Sequence, residues 1–320
     1  MELAPKNLKS LIYHRKLYDV VKLSVELRIY DKMRWPVTLD CISGELGVDD
    51  VFLGYLLDVL AASGYAEKME RGGITYYKNT AVSEHYLNSK SPSFVGDAVL
   101  DDPGTYEALW GYVDEGPGDT AITKDYWTPE LLKSIGSFAL LGHVQAGVDR
   151  VDLSGRKKML DVGGGHGLFS IFFTKKYPGL KAWVLDLPAV AGLARENIER
   201  YGAADRVNVI PGDFQGLKPG DVYDAIFISN VTASYDELCM LISNARRSLR
   251  RGGVLVLRNY VSDAGMDEWS PLITLERYSR RGRRGFSKSQ LRSAMKAGCL
   301  VDIKLLYKGD GVAILSGVNR

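Results

Sequence analysis

The second half of this 320-residue chain sets the tightest limit on what it can fold into. There, short apolar runs at 158–162, 184–187, 207–210, 225–229 and 254–258 alternate with stretches of helical periodicity. Runs of four or five apolar residues have the length of buried strands, and the intervening segments have the length of crossover helices. Strand, helix, strand in this rhythm predicts a doubly wound α/β sheet with helices on both faces. Ligands of such sheets sit at the carboxyl ends of the strands, so the search for a site begins there.

The first strand runs into Leu160-Asp161-Val162-Gly163-Gly164-Gly165-His166-Gly167, which closes it and opens a helix at 168–176. Glycine lets a strand-to-helix turn bring its backbone close to a ligand, and the helix start offers free N–H groups. A dinucleotide fingerprint starting at Gly163 would need glycine where Leu168 stands, and no other register in the loop supplies one. No Gly-Lys-Ser/Thr follows, so a phosphate-binding P-loop is excluded as well. Instead Gly163, Gly165 and Gly167 alternate, with the carboxylate of Asp161 two residues ahead. That pattern suits a nucleoside without phosphates that carries positive charge, and S-adenosylmethionine (SAM), a sulfonium and an ammonium in one molecule, is such a ligand. Asp186 ends the next strand, where a carboxylate can accept from a ribose diol, and Gly212-Asp213-Phe214 ends the third, offering an acceptor and an aromatic face to adenine. Asp213 alone would read as a strand-end cap; its order after the loop and Asp186 makes it a cofactor candidate.

The first half has a different texture. Apolar residues from Leu8 to Met33 recur at helical spacing and Trp35-Pro36 ends them; 38–46 reads as a short helix, Gly47-Val48 as a turn, and Asp49 as the N-cap of a longer helix. Two further strands flank Arg71-Gly72-Gly73, the chemistry of a tight hairpin. The unit therefore reads as a winged helix. Its second helix opens Asp49-Asp50 and adds Asp58, carboxylates that would repel a nucleic-acid backbone, so packing or dimerisation is the expected role and DNA binding is not. The domain boundaries expected are 1–100 for this unit, 101–153 for a helical bridge that walls an acceptor pocket, and 154–320 for the α/β domain.

Formal net charge is +2, too small to hold a polyanion or an anionic membrane surface by global attraction. The three cysteines, Cys41, Cys239 and Cys299, are far apart and lie in apolar-periodic stretches, which fits reduced core thiols better than a disulfide frame or a metal cluster. With no apolar run long enough to span a bilayer and no signal-like N-terminus, the expectation is a cytoplasmic protein with no metal, no nucleic-acid partner and no membrane partner.

Taken together, Leu56-Leu57-Asp58-Val59-Leu60, Gly64-Tyr65, Tyr77-Lys78-Asn79-Thr80, the 160–167 loop, Asp186-Leu187-Pro188, Gly212-Asp213-Phe214 and Arg251-Gly252-Gly253 resemble the two-domain small-molecule O-methyltransferases. These include plant caffeic-acid-type enzymes and bacterial polyketide and phenazine tailoring enzymes. The resemblance implies a Rossmann-like SAM-binding sheet behind a winged-helix dimerisation domain, and a homodimer joined through the N-terminal domains. It also implies a cofactor held by Asp161, Gly163, Gly165, Gly167, Asp186, Leu187, Asp213, Phe214 and Ser229, with S-adenosylhomocysteine (SAH) as the product. The acceptor pocket it implies would draw on Trp127, Ile135, Phe138, Trp269, Arg283 and Arg284.

One departure stands out. Where the family usually carries a histidine that takes the acceptor's proton, the run Asn230-Val231-Thr232-Ala233-Ser234-Tyr235-Asp236 places alanine, Ala233. An unperturbed phenol, with a pKa near ~10, is mostly protonated at neutral pH, and a positioned base typically contributes about 10²- to 10⁴-fold. Three readings remain open: an acceptor that is already nucleophilic (an acidic enol or phenol, a carbon, a nitrogen or a thiol, so that C- or N-methylation stands beside O-methylation), a base from elsewhere, or a fold retained for other work. Replacement bases are His143, Tyr235, Asp236 and Glu276. The run Arg277-Tyr278-Ser279-Arg280-Arg281-Gly282-Arg283-Arg284 is either a solvated loop or a set of guanidinium forks for an anionic acceptor. A nicotinamide oxidoreductase and a ligand-sensing winged-helix regulator are the competing functions; glycine spacing argues against the first and the acidic helix against the second.

Overall fold

Asp49 and the glycines at two turns show how the first unit is punctuated. In the computed structural model, which describes residues 6–100, 113–114, 140–213, 222–232, 234–263, 285–309 and 311–320, helices α1 (Lys6–Glu26), α2 (Ile29–Lys32), α3 (Leu39–Leu46) and α4 (Asp50–Ala62) precede a hairpin of β2 (Ala66–Arg71) and β3 (Ile74–Asn79). Gly47, at φ 66°, stops α3, and the Asp49 carboxylate accepts the Phe52 N–H at 2.9 Å to start α4. The hairpin turns on Gly72 and Gly73, both at positive φ, the conformation that matches the twist of the flanking strands. A two-residue β1 (Val37–Thr38) completes a three-stranded sheet in the order β1-β3-β2, and α5 (Ala81–Tyr86) and α6 (Gly96–Leu100) follow. Val21, Ile29, Tyr30, Met33, Leu53, Leu57, Leu60 and Tyr77 form its core. Helix-turn-helix plus hairpin is the expected winged arrangement. Asp58, on α4, is held by Lys68 at 2.7 Å and by the Tyr77 hydroxyl at 3.2 Å.

The second unit is built on a seven-stranded sheet of order β6-β5-β4-β7-β8-β10-β9. Its strands are β4 (Lys158–Val162), β5 (Lys181–Asp186), β6 (Val207–Pro211), β7 (Tyr223–Ser229), β8 (Leu249–Tyr260), β9 (Leu300–Gly309) and β10 (Val312–Asn319). The helices are α7 (Leu140–Asp149), α8 (Leu168–Lys176), α9 (Pro188–Arg200), α10 (Tyr235–Arg247) and α11 (Lys288–Ala297). Strand residues alternate between faces: Met159, Ala225, Phe227 and Val256 pack with Val144, Leu168, Phe173 and Ala194 of α7, α8 and α9. Leu160, Ile226, Ile228, Leu255 and Leu257 pack with Leu238, Leu241, Leu291 and Met295 of α10 and α11.

Strands β6, β5, β4, β7 and β8 are parallel, and β10 inserts antiparallel between β8 and β9. The sheet is thus mixed at one edge. The sequence reading assigned no strand to 300–309 or 312–319, and began β5 and β8 too late. In β9 the apolar rhythm is broken by Asp302, Lys304 and Lys308, because this edge strand is half exposed. Asp224 pins the opposite, amino edge by accepting the Lys157 and Lys158 N–H groups at 2.6 and 2.9 Å and pairing with Arg250 at 2.9 Å.

Within the described residues no helix is long and apolar enough to cross a membrane. The three cysteines are free thiols but not core ones, since Cys41 and Cys299 are exposed and Cys239 is half-buried. Much of the bridge expected at 101–153 lies outside the described residues; its last part is α7, whose Val144 and Val148 pack into the second unit's core.

Candidate active site

Parallel order in the sheet brings the ends of β4, β5, β6, β7 and β8 to one edge, and the glycine loop sits in the middle of it. Gly163, Gly165 and Gly167 all adopt positive φ, at 65°, 53° and 72°, which is why the glycines alternate. At Gly163 there is a second reason: a Cβ there would lie 2.6 Å from Val231 Cγ2, so the loop after β7 rests directly on the loop after β4. At Gly165 a Cβ would meet nothing within 4 Å. The turn therefore faces open space at its centre and a packed neighbour at its start.

Two carboxylates flank this turn in different states. Asp161 is fully buried; its Oδ2 accepts from Ser170 Oγ at 2.8 Å, and its Oδ1 has no hydrogen-bond partner among the described residues. Burial first, then the neighbouring Asp186 carboxylate, push its pKa up to about 7. Asp186 accepts the Gly165 N–H through Oδ2 and its neighbour Leu187's N–H through Oδ1, both at 2.7 Å. Burial raises its pKa while these amide bonds oppose the rise. Each Asp186 oxygen has a second lone pair left to accept with. A buried carboxylate oxygen lacking a donor, beside a glycine turn that opens outward, fits a ligand bearing positive charge and hydroxyls.

Further along the edge, the Gly212 N–H donates to the Asp186 carbonyl at 2.8 Å, setting exposed Asp213 at the end of β6. Ser229 ends β7 and its Oγ accepts from Arg258 Nη1 at 3.3 Å. Asn230 follows in the left-handed region, at φ 55°; its Oδ1 accepts the Tyr260 N–H at 3.0 Å, and its own N–H donates to the Arg258 carbonyl at 3.1 Å. A strained residue thereby locks the ends of β7 and β8 together.

His166 is buried, its Nδ1 accepts the Leu168 N–H at 3.0 Å, and its carbonyl accepts from Asn197 Nδ2 at 2.9 Å. Burial and then the Arg258 charge lower its pKa to about 4, so the ring is neutral and shapes the loop. Tyr235 and Asp236 begin α10, capped by Ser234, whose Oγ accepts from the Glu237 N–H. Desolvation and the nearby Cys239 and Asp236 raise the Tyr235 phenol, which makes it a poorer acceptor of a proton at neutral pH.

The structure thus gathers Asp161, Gly163, Gly165, Gly167, Asp186, Leu187, Asp213 and Ser229 along one sheet edge. Phe214, Ala233, Trp127, Ile135, Phe138, Trp269, Glu276, Arg283 and Arg284 lie outside the described residues, as does the side chain of His143. Sequence reading missed Ser170, Asn230 and Arg258. Only Arg258 left a signal, a charge at the end of an otherwise apolar strand.

Residues 137–274 match the O-methyltransferase domain family. The matched stretch runs through α7, the glycine loop and the ends of β5, β6, β7 and β8. Methyl transfer from SAM is the chemistry of that domain, and the chain is a SAM-dependent methyltransferase. Among relatives, the 3-hydroxy-5-methyl-1-naphthoate 3-O-methyltransferase of Streptomyces sahachiroi is 29% identical over 222 residues, 65% of this chain and 63% of that one. The N,N-dimethyltransferase OxyT of Streptomyces rimosus is 27% identical over 258 residues, 75% of this chain and 74% of that one. The crystal structure of human N-acetylserotonin methyltransferase in complex with SAM superposes with a TM-score of 0.75 at 17% identity, covering 100% of this chain and 99% of that one. Near-complete coverage of both chains shows that the two-unit fold is shared from end to end.

Proposed function

We propose that this methyltransferase acts on an oxygen of a small, anionic or acidic aromatic acceptor. SAM supplies the methyl group as a sulfonium carbon open to in-line displacement. The chain's own part is to orient and to balance charge. The Gly163, Gly165 and Gly167 turn would receive the amino-acid portion, Asp161 would offset positive charge, Asp186 and Leu187 would take the ribose, and Asp213, Phe214 and Ser229 the adenine side. The observation that carries this reading is the buried Asp161 Oδ1 with no donor, next to a turn that opens outward.

Asking for an acidic acceptor follows from Ala233: with no histidine in the usual place, the proton must leave by another route. The naphthoate enzyme's name describes an acceptor with a carboxylate on an aromatic ring. OxyT's name describes transfer to nitrogen, which keeps an amine acceptor as the second reading. His143, Tyr235, Asp236 and Glu276 stay as candidate bases, and Trp127, Ile135, Phe138, Trp269, Arg283 and Arg284 as candidate acceptor contacts. The protein is further proposed to work as a homodimer joined by its N-terminal units, in the cytoplasm, without metal, nucleic acid or membrane.

Calorimetric titration with SAM and SAH tests the cofactor part. Both should bind the folded protein with one site per chain, and Asp186→Ala should weaken both at least tenfold by removing the acceptor for the Gly165 N–H as well as for the ribose. Uptake of NAD with no uptake of either sulfur nucleoside would end the reading. Labelled-methyl transfer into fractionated small phenols, carboxylates and amines then separates oxygen from nitrogen.

A further inference from the structure

Arg258 is 5% exposed, lies third from the end of β8, and points to the α7 and α8 side of the sheet, as Val256 does two residues earlier. Its guanidinium sits 5.5 Å from the Phe169 ring centre and 5.8 Å from that of Tyr260. Ser229 Oγ, at 3.3 Å, receives one of its five N–H donors, and the Tyr260 hydroxyl accepts another. Among the described residues no carboxylate pairs with it. The charged and titratable groups that face it are His166 from the glycine loop, Tyr260 from its own strand and Tyr307 from β9; Arg150 lies over the far partner, 4.4 Å from the Tyr307 ring centre. None of these is a carboxylate.

A guanidinium removed from water without an anion is a costly arrangement. Two aromatic faces recover part of that cost by cation–π attraction, and no described carboxylate offsets the rest. The cost is also placed where it could act. Arg258 is bonded to Ser229, Asn230 ties the two strand ends, and Val231 rests on Gly163 of the cofactor turn. Two carboxylates on the same edge, Asp161 and Asp186, are already engaged by Ser170 and by backbone amides.

We propose that Arg258 is the counter-ion for the acceptor's reacting oxygen, binding it as phenolate or enolate so that no side-chain base is needed. This rests on the methyltransferase reading. The acceptor's O–H proton goes to solvent as the acceptor binds. The oxyanion then forms the new C–O bond as the C–S bond breaks, and the sulfur keeps the electron pair as the neutral thioether of SAH. An opposite charge within about 4–6 Å lowers the pKa of such a group by roughly 1–3 units, which brings an ordinary phenol near ~10 within reach of neutral pH. Ala233 and Arg258 are then one adaptation: a proton acceptor is absent and a fixed positive charge is present.

The test uses the full-length protein saturated with SAH and 4-nitrophenol as the probe, whose anion is yellow. With wild type the apparent pKa of the bound probe should fall by one unit or more from its value in buffer. In Arg258→Met the shift should vanish and the phenolate should bind at least tenfold more weakly, while Arg258→Lys should keep part of the shift. Circular dichroism and SAH calorimetry on each variant report folding and cofactor uptake separately. Because a buried cation that no described carboxylate pairs destabilises the free protein, Arg258→Met should also melt higher than wild type, whereas loss of a merely structural arginine would lower its Tm. An unshifted probe, no probe binding at millimolar concentration, or an equal shift in Arg258→Met overturns the proposal even if SAH binds; failure of SAH itself to bind overturns the methyltransferase reading instead.

Discussion

At Asp161 burial has changed what a carboxylate does. Its pKa stands at about 7 in the folded protein against 3.8 for the ordinary side chain, so folding favours the protonated form. The resulting stability is full below pH 3.8 and is lost as pH rises through about 7. Asparagine at this position mimics the protonated state, so ligand-free Asp161→Asn should melt higher than wild type at pH 8 and match it at pH 4. Binding a sulfonium reverses the preference, because the ionised form then gains a partner. The affinity for SAM should therefore rise about tenfold from pH 6 to pH 8, with proton release visible in buffers of different ionisation enthalpy. In Asp161→Asn the rise should disappear; a wild-type affinity independent of pH would show that Asp161 carries no charge opposite the sulfonium. His166 runs the other way. Its depressed pKa, about 4, gives stability that is present above the ordinary imidazole value and lost as pH falls through 4.

Elements show where sequence was enough and where it was not. An apolar run without charge, such as 225–229, could only be a buried strand. The glycine loop was legible because left-handed turns admit few other residues. By contrast β9, a half-exposed edge, carries charges that a buried strand would not, so its pattern has no clear period. Arg258 and Asn230 escaped notice because their meaning depends on strand register, with Ser229 beside Arg258, and register follows from the whole sheet. The amino edge offers a test at this scale. Asp224 satisfies two backbone N–H groups before β4 and the Arg250 guanidinium at the start of β8. Asp224→Ala should cost about 2–4 kcal/mol in urea unfolding, since buried donors lose a charged acceptor. SAH affinity should change little, because the cofactor edge lies at the other end of the strands; a loss under about 0.5 kcal/mol would mean that water replaces the carboxylate without penalty.

For the whole molecule the open issue is what the winged unit is for. Helix α4 shows Val51, Phe52 and Tyr55 to solvent, and α1 shows Leu11 and Tyr13, with Tyr55 71% and Leu11 67% exposed. Asp49, Asp50 and Asp58 border that surface, Asp49 spent on the helix cap and Asp58 on Lys68 and Tyr77. A surface both apolar and acidic has little to offer a phosphate backbone and much to offer another protein surface. A shared interface on one unit of each chain is the usual way a homodimer closes by two-fold symmetry. Light scattering on the full-length protein should then give a mass near twice 35.4 kDa. Replacing Leu11 and Tyr55 by glutamate should halve that mass with little change in far-ultraviolet dichroism, since both side chains are exposed in the single chain. Two outcomes would remove the surface from this role: a monomeric wild type at tens of micromolar, or a dimer that survives both glutamates. In the second case the contact has to be sought elsewhere on the chain, and the exposed aromatics of α4 would be left to a partner other than a second copy.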